Sequence, residues 1–198
     1  MSSLTLTPGN AFASVLASSR SAVAISVLDG IGIAHVAARR GQSEALAARV
    51  QDLYGVSLPK SPRIVSGPNL AFVWAGPEQW LAVSQSTQNL TSQNLEKELA
   101  EKLAGLASVA DQSDARALAT IRGPKARQVL SKGVPIDLHP KAFPAGSAAI
   151  THASHIGVLL WLSEQGDTFT LACPRSYATS FWGWLTEAAT EFSPSVGG

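Results

Sequence analysis

The residues able to do chemistry in this chain are few and scattered. His152 and His155 lie three apart near the start of a strand. A catalytic zinc needs three protein ligands and a structural zinc four. The other His and Cys residues are His35, His139 and Cys173, and no spacing draws them to that pair. The two histidines are therefore expected in a loop or at a strand edge, with no metal site. Cys173 closes a strand beside Pro174. A small buried hydrophobe is the default for such a cysteine, and a reactive thiol is the alternative.

Asp111-Gln112-Ser113-Asp114-Ala115-Arg116 is the densest polar cluster. Two carboxylates, a hydroxyl and an arginine are able to bind a polar ligand. The plainer expectation is structural: Asp111 and Ser113 cap a turn, and Arg116 pairs with Asp114 at a strand start. One cluster without a second convergent group is not a site. Gly30-Ile31-Gly32 is half of a dinucleotide fingerprint and lacks its third glycine, which favours a turn between strands. Neither a Gly-x-x-x-x-Gly-Lys-Ser/Thr loop nor a Gly-x-Ser-x-Gly elbow occurs. No catalytic, cofactor-binding or metal-binding residue is expected.

The elements that must carry these residues occur twice. The first unit opens with a strand over Ile31 to Ala37. A helix from about Gln42 to Tyr54 follows, with Leu46, Val50 and Leu53 on one face and Gly55 as its stop. Ile64-Val65 is a short strand. Leu70 to Trp74 and Trp80 to Val83 form a hairpin around Gly76-Pro77-Glu78-Gln79. A helix from about Ser92 to Leu106 closes the unit, with Leu95, Leu99 and Leu103 as its stripe and Ser92 with Glu96 at its start. The second unit repeats the order: a strand over Ala115 to Ile121, a short helix after Gly123-Pro124, and strands over Ala148 to Thr151, Ile156 to Leu162 and Thr168 to Cys173. Its final helix runs from about Ser176 to Glu191, with Tyr177, Phe181, Trp184 and Ala188 on one face. Trp182 then points off that face, which makes it a candidate interface anchor.

Each half thus reads strand, helix, strand, strand, strand, helix. The fold class is α+β, with two tandem units over 21–107 and 108–193, an N-terminal arm over 1–20 and a tail over 194–198.

Composition narrows the partners. Lys+Arg number 15 against Asp+Glu 14, a net charge of +1, which excludes a strongly basic nucleic-acid binder. A hydrophobic content of 45% excludes a disordered tail protein. One cysteine forbids an internal disulfide and fits a reducing compartment, so a cytoplasmic location is expected. No run of about 18 apolar residues exists, so no membrane span is expected. Charged residues are only 15%, against roughly 25% in an ordinary soluble domain. Mean hydropathy is +0.13. Either much of the surface meets other subunits, or 31 alanines raise the score without making adhesive patches.

The cluster over 111–116 continues into Ile121-Arg122-Gly123-Pro124-Lys125-Ala126-Arg127 and then Gly133-Val134-Pro135-Ile136-Asp137-Leu138-His139-Pro140. With Thr151-His152, Ile156-Gly157-Val158-Leu159-Leu160-Trp161 and Arg175-Ser176-Tyr177-Ala178 before Phe181-Trp182, this run resembles the gamma subunit of heterotetrameric sarcosine oxidase. Gly76-Pro77-Glu78-Gln79-Trp80-Leu81 is similar to its first-repeat turn, and together these cover most of residues 65–192. The resemblance implies a non-catalytic subunit that supports assembly with alpha, beta and delta partners. It implies a complex that demethylates sarcosine to glycine, releasing hydrogen peroxide and passing the methyl carbon to formaldehyde or tetrahydrofolate. FAD, FMN and NAD are then implied on the alpha and beta subunits and zinc on delta, with no cofactor on this chain. Trp182, Arg175 and Tyr177 are the expected partner-interface residues. A fold similar to the folate-binding domains of the glycine-cleavage T protein is also implied. The Lys-Gly-Cys-aromatic-x-Gly-Gln-Glu motif of its folate-using relatives has no match here. Two alternatives stand: a subunit of an N-methylglutamate dehydrogenase-type complex, or a free-standing folate-binding protein using Asp111, Asp114 or Asp137.

Overall fold

Alternating apolar residues and tight turns divide the chain into elements that each need a second surface to bury. The computed structural model describes residues 19–20, 22–84 and 94–192. Strands β1 (Ser19–Arg20), β2 (Val23–Leu28) and β3 (Ile33–Ala38) come first. Helix α1 (Ser43–Tyr54) buries Leu46 and Val50. It ends where Gly55 takes a left-handed φ of 67° and its N–H donates to the Gln51 carbonyl, a conformation glycine adopts without a Cβ penalty. Strand β4 (Ile64–Ser66) is followed by the hairpin β5 (Leu70–Gly76) and β6 (Gln79–Ser84). Helix α2 (Leu95–Lys102) buries Leu95 and Leu99. Ser92, expected at its start, lies outside the described residues.

The second half holds strands β7 (Ala107–Asp111) and β8 (Arg116–Arg122), then helix α3 (Ala126–Leu130). Strands β9 (Ala148–Ala153), β10 (Ile156–Leu162) and β11 (Thr168–Pro174) follow. A single 3-10 turn, Arg175–Tyr177, leads into helix α4 (Ala178–Ala189).

Two antiparallel sheets result. Sheet one has the order β4-β5-β6-β3-β7 and sheet two the order β1-β2-β8-β11-β10-β9. They stack face to face through Ile33, Val73 and Leu81 on one side and Leu118, Leu159 and Trp161 on the other. Helices α1 and α2 cover the outer face of sheet one, where Leu46, Val50, Leu95 and Leu99 meet Val36 and Phe72. Helices α3 and α4 cover sheet two, where Val129, Leu130, Phe181 and Leu185 meet Ile121, Leu160 and Leu171. The layers run helix, sheet, sheet, helix. Both sheets are buried on both faces. That is why β10 is the continuous apolar run Ile156 to Leu162 rather than an alternating one. It also accounts for the high mean hydropathy. Among the described residues only Leu28, Ile150 and Tyr177 are large hydrophobics left exposed.

The structure corrects four expectations. The arm over 1–20 does not extend to Ser19 and Arg20, which pair with Ala24 and Val23. The remainder of that arm and the 194–198 tail lie outside the described residues. Strands β2 and β7 were not anticipated, and each joins the sheet of the opposite half: β2 pairs β8, and β7 pairs β3. The sheets therefore cross the 107/108 boundary. Third, helix α2 is shorter than the expected span and stops at Lys102.

The fourth correction concerns α4. Its buried stripe is Ala178, Phe181, Trp182, Leu185, Ala188 and Ala189, a spacing of three and four that defines one wide face. Trp182 is 6% exposed and belongs to the core of its own chain. Trp184 is only partly buried and lies over Gly133, where an added Cβ would stand 2.6 Å from the indole. Tyr177 is 54% exposed rather than on the core face. Burying Phe181 alone stabilises the fold by about 1.5–3 kcal/mol.

Candidate functional site

The polar cluster over 111–116 sits where β7 turns into β8, beside the start of β3. Its first part is a closed clasp. The Ile33 N–H donates to Ser113 Oγ at 3.0 Å, and the Ser113 hydroxyl donates to the Ile33 carbonyl at 3.2 Å. The Ser113 N–H donates to Asp111 Oδ1 at 2.9 Å, and the Gln112 N–H to the Ile33 carbonyl at 2.9 Å. Asp111 and Ser113 therefore cap a turn, as expected. The clasp also ties the start of the second half to sheet one.

Arg116 does not follow the expectation. Asp114 pairs with Arg175 instead, at 3.9 Å and with the carboxylate almost wholly in solvent. Such a pair adds little stability. Arg116 opens the inner face of β8, two residues before buried Leu118. Its Nε is buried and has no hydrogen-bond partner among the described residues. Burial pushes the guanidinium below its usual range, although the group stays cationic. It lines a cleft of about 300 Å³ with Ala75, Ile150, Thr151, His152 and Gly157.

Most of the remaining candidates are spoken for. His152 lies exposed on β9, and His155 sits in the adjoining turn with Nδ1 3.0 Å from Ser154 Oγ. His35 Nε2 lies 3.1 Å from Gln79 Oε1, and His139 Nδ1 accepts from the Lys141 N–H. Among the described residues no three His, Cys, Asp or Glu side chains gather as a metal site. Cys173 is buried, and burial pushes its thiol up to about 11, so it is the small hydrophobe and not the reactive nucleophile. Gly30 turns the chain between β2 and β3 at φ 69°, with its N–H held by Asp29 Oδ1. The Gly32 N–H is held by Ser84 Oγ, so this loop is a strand connection.

A second cleft, of about 390 Å³, lies beside α1 and is lined by Trp74, Trp80, Lys60 and Glu78 among others. Its polar groups face one another: Trp80 Nε1 donates to the Pro59 carbonyl at 2.8 Å, and Ser43 Oγ donates to Glu78 Oε1. Asp111, Asp114 and Asp137 line neither cleft. Asp137 instead accepts from the His139 N–H at 2.8 Å.

Of the three expected interface residues, Arg175 and Tyr177 face outward at one end of sheet two, while Trp182 does not. The exposure of Ile150 and the partnerless Nε of Arg116, among the described residues, were missed. Ile150 shares the inner face of β9 with buried Ala148, and the pattern alone makes it a core residue. On β9, the last strand of sheet two, it is 60% exposed.

The comparisons with known proteins agree with one another. The sequence model of the sarcosine oxidase, gamma subunit family matches residues 39–191. Sarcosine oxidase subunit gamma from Arthrobacter sp. is 32% identical over 199 residues, covering 98% of this chain and 95% of that one. Its counterpart from Corynebacterium sp. strain P-1 is 33% identical over 153 residues, covering 74% of this chain and 70% of that one. Among solved structures, a chain of heterotetrameric sarcosine oxidase from Corynebacterium sp. U-96, in complex with pyrrole 2-carboxylate, matches with a TM-score of 0.74. It is 27% identical, and the match covers 89% of this chain and 88% of that one. The glycine cleavage system aminomethyltransferase T from Bartonella henselae shares the fold. Its TM-score is 0.60 at 15% identity, covering 84% of this chain and 46% of that one. This chain belongs to the sarcosine oxidase gamma subunit family.

Proposed function

We propose that this chain is the non-catalytic gamma subunit of a heterotetrameric sarcosine oxidase, where it braces the alpha, beta and delta subunits. The observation that carries this reading is the near full-length match to the Arthrobacter gamma subunit. The local chemistry supports it. The clasp at Ser113 spends its polar groups on joining the two halves, and Cys173 is held protonated in the core.

The cofactors of the complex belong to the other subunits. Zinc needs three or four protein ligands, and the described residues gather no such set, so they do not fit a zinc site. The loop at Gly30 to Gly32 binds its own amides and does not fit a dinucleotide pyrophosphate. FAD, FMN, NAD and tetrahydrofolate would supply the oxidation and the methyl-carbon acceptor, and no step is assigned to this chain. A free-standing folate carrier is disfavoured, because Asp111 and Asp137 accept backbone N–H groups and Asp114 pairs with Arg175 in solvent.

Affinity capture of the tagged chain from cells expressing its native partners tests the reading. The expected result is a yellow complex with three further subunits whose flavin absorbance bleaches on adding sarcosine. A colourless lone chain would contradict it. Bleaching by N-methylglutamate but not sarcosine would move the chain to the sister complex.

A further inference from the structure

The inner face of sheet two carries one row of residues in register across five strands: Leu28, Leu118, Ala172, Leu159 and Ile150. Its three central members are buried beneath sheet one. The β9 end is bare, with Ile150 60% exposed. In the next row outward, Arg116 stands opposite Pro174, and Gly157 opposite His152. The cleft between these rows is the one Arg116 lines with Ile150 and His152.

Charge is unbalanced there. Among the described residues Arg116 is the one Lys, Arg, Asp or Glu lining the cleft. The acidic residue nearest in sequence, Asp114, is turned to Arg175. A guanidinium nitrogen that has lost water without gaining an acceptor is unfavourable, and an acceptor brought from outside removes that cost. A carboxylate suits best, because it meets the planar guanidinium through two parallel hydrogen bonds. His152, exposed across the cleft, is a second donor. A bare Ile150 in the same cleft as an arginine whose Nε has no partner among the described residues is a mixture of apolar anchor and Arg of the kind found at protein interfaces. Tyr177, also exposed, follows Pro174 by three residues at the same end of the sheet.

We propose that this cleft is a docking site for another subunit of the complex, which seats a carboxylate against Arg116 and an apolar side chain on Ile150. The inference rests on the subunit reading above and adds to it a place and a chemistry.

The test uses the assembled complex. Recovery of flavoprotein subunits with the unaltered tagged chain establishes the subunit reading independently. On that background Arg116→Gln and Ile150→Glu are each expected to reduce recovered flavin per tagged chain at least tenfold in moderate salt. Arg116→Lys should recover part of it. Leu28→Ser, at the far end of the same row, should recover as much flavin as the unaltered chain. A second measurement covers variants that fold poorly. Ile150→Cys in the native complex should react with maleimide at least tenfold more slowly than in the denatured complex, while buried Cys173 contributes no native labelling. Recovery with Arg116→Gln equal to that of the unaltered chain, or rapid native labelling at position 150, would overturn the assignment. Rapid labelling that acetate slows would place a small carboxylate in the cleft and would equally overturn docking.

Discussion

Ser113 and Arg116 are three residues apart and face opposite fates. At Ser113 the side chain and the amide find partners within the chain: hydroxyl, backbone N–H and the neighbouring carboxylate close on Ile33 and on each other. At Arg116 the buried Nε finds none among the described residues. The difference teaches where the chain's own folding ends and its assembly begins. A group satisfied internally holds the two halves together. A group buried but unsatisfied is carried at a cost that the lone chain does not recover.

Trp182→Ala gives the largest expected effect and sharpens the boundary. Trp182 lies in the core, so its loss should lower the chain's stability by about 3–5 kcal/mol, read by urea unfolding. An unchanged midpoint with lost assembly would return Trp182 to the interface. Ser113→Ala should come next. It strands the amide of Ile33, whose carbonyl keeps the Gln112 N–H, and should cost about 1–3 kcal/mol in the same measurement. Arg116→Met should move the other way. It removes a desolvated, unpaired nitrogen, so the chain's own stability should hold or rise by up to about 1 kcal/mol. A loss as large as that of Ser113→Ala would erase the distinction between the two residues. Tyr177→Ser should change folding by less than about 0.5 kcal/mol, because the ring is exposed in the lone chain.

A pH-dependent prediction concerns Cys173. Its thiol is held protonated to about 11, above the unfolded value of about 9. The folded state therefore keeps a proton that the unfolded state loses. Its contribution is complete below pH 9 and is lost as pH rises from about 9 to 11. Thiol alkylation of the native chain should stay slow at pH 8, and rapid alkylation there would contradict the burial.

The sequence showed the elements that are stabilised locally. Helix α1 has its stripe at Leu46 and Val50 and its glycine stop. Strand β10 was bounded at Ile156 and Leu162, as observed. The β5–β6 hairpin follows from its turn residues around Pro77-Glu78. Strands β2 and β7 were invisible for one shared reason. Each is half-exposed and paired with a strand of the opposite half, so its stability is tertiary. In α4 three aromatics within four residues allow two helical faces. In the fold Trp182 takes the core place and Trp184 lies over Gly133 on the flank. Family membership was legible in the run from Asp111 to Pro140. The unpaired state of Arg116 was not, because Asp114 is a ready partner in sequence and only the fold turns it to Arg175.

An experimental structure of the assembled complex tests the division between clasp and cleft most directly. The account predicts a carboxylate of another subunit within about 3 Å of the Arg116 guanidinium, with Ile150 covered and the Ser113 clasp unchanged. An Arg116 open to bulk solvent in that complex, with Ile150 still bare, would contradict it.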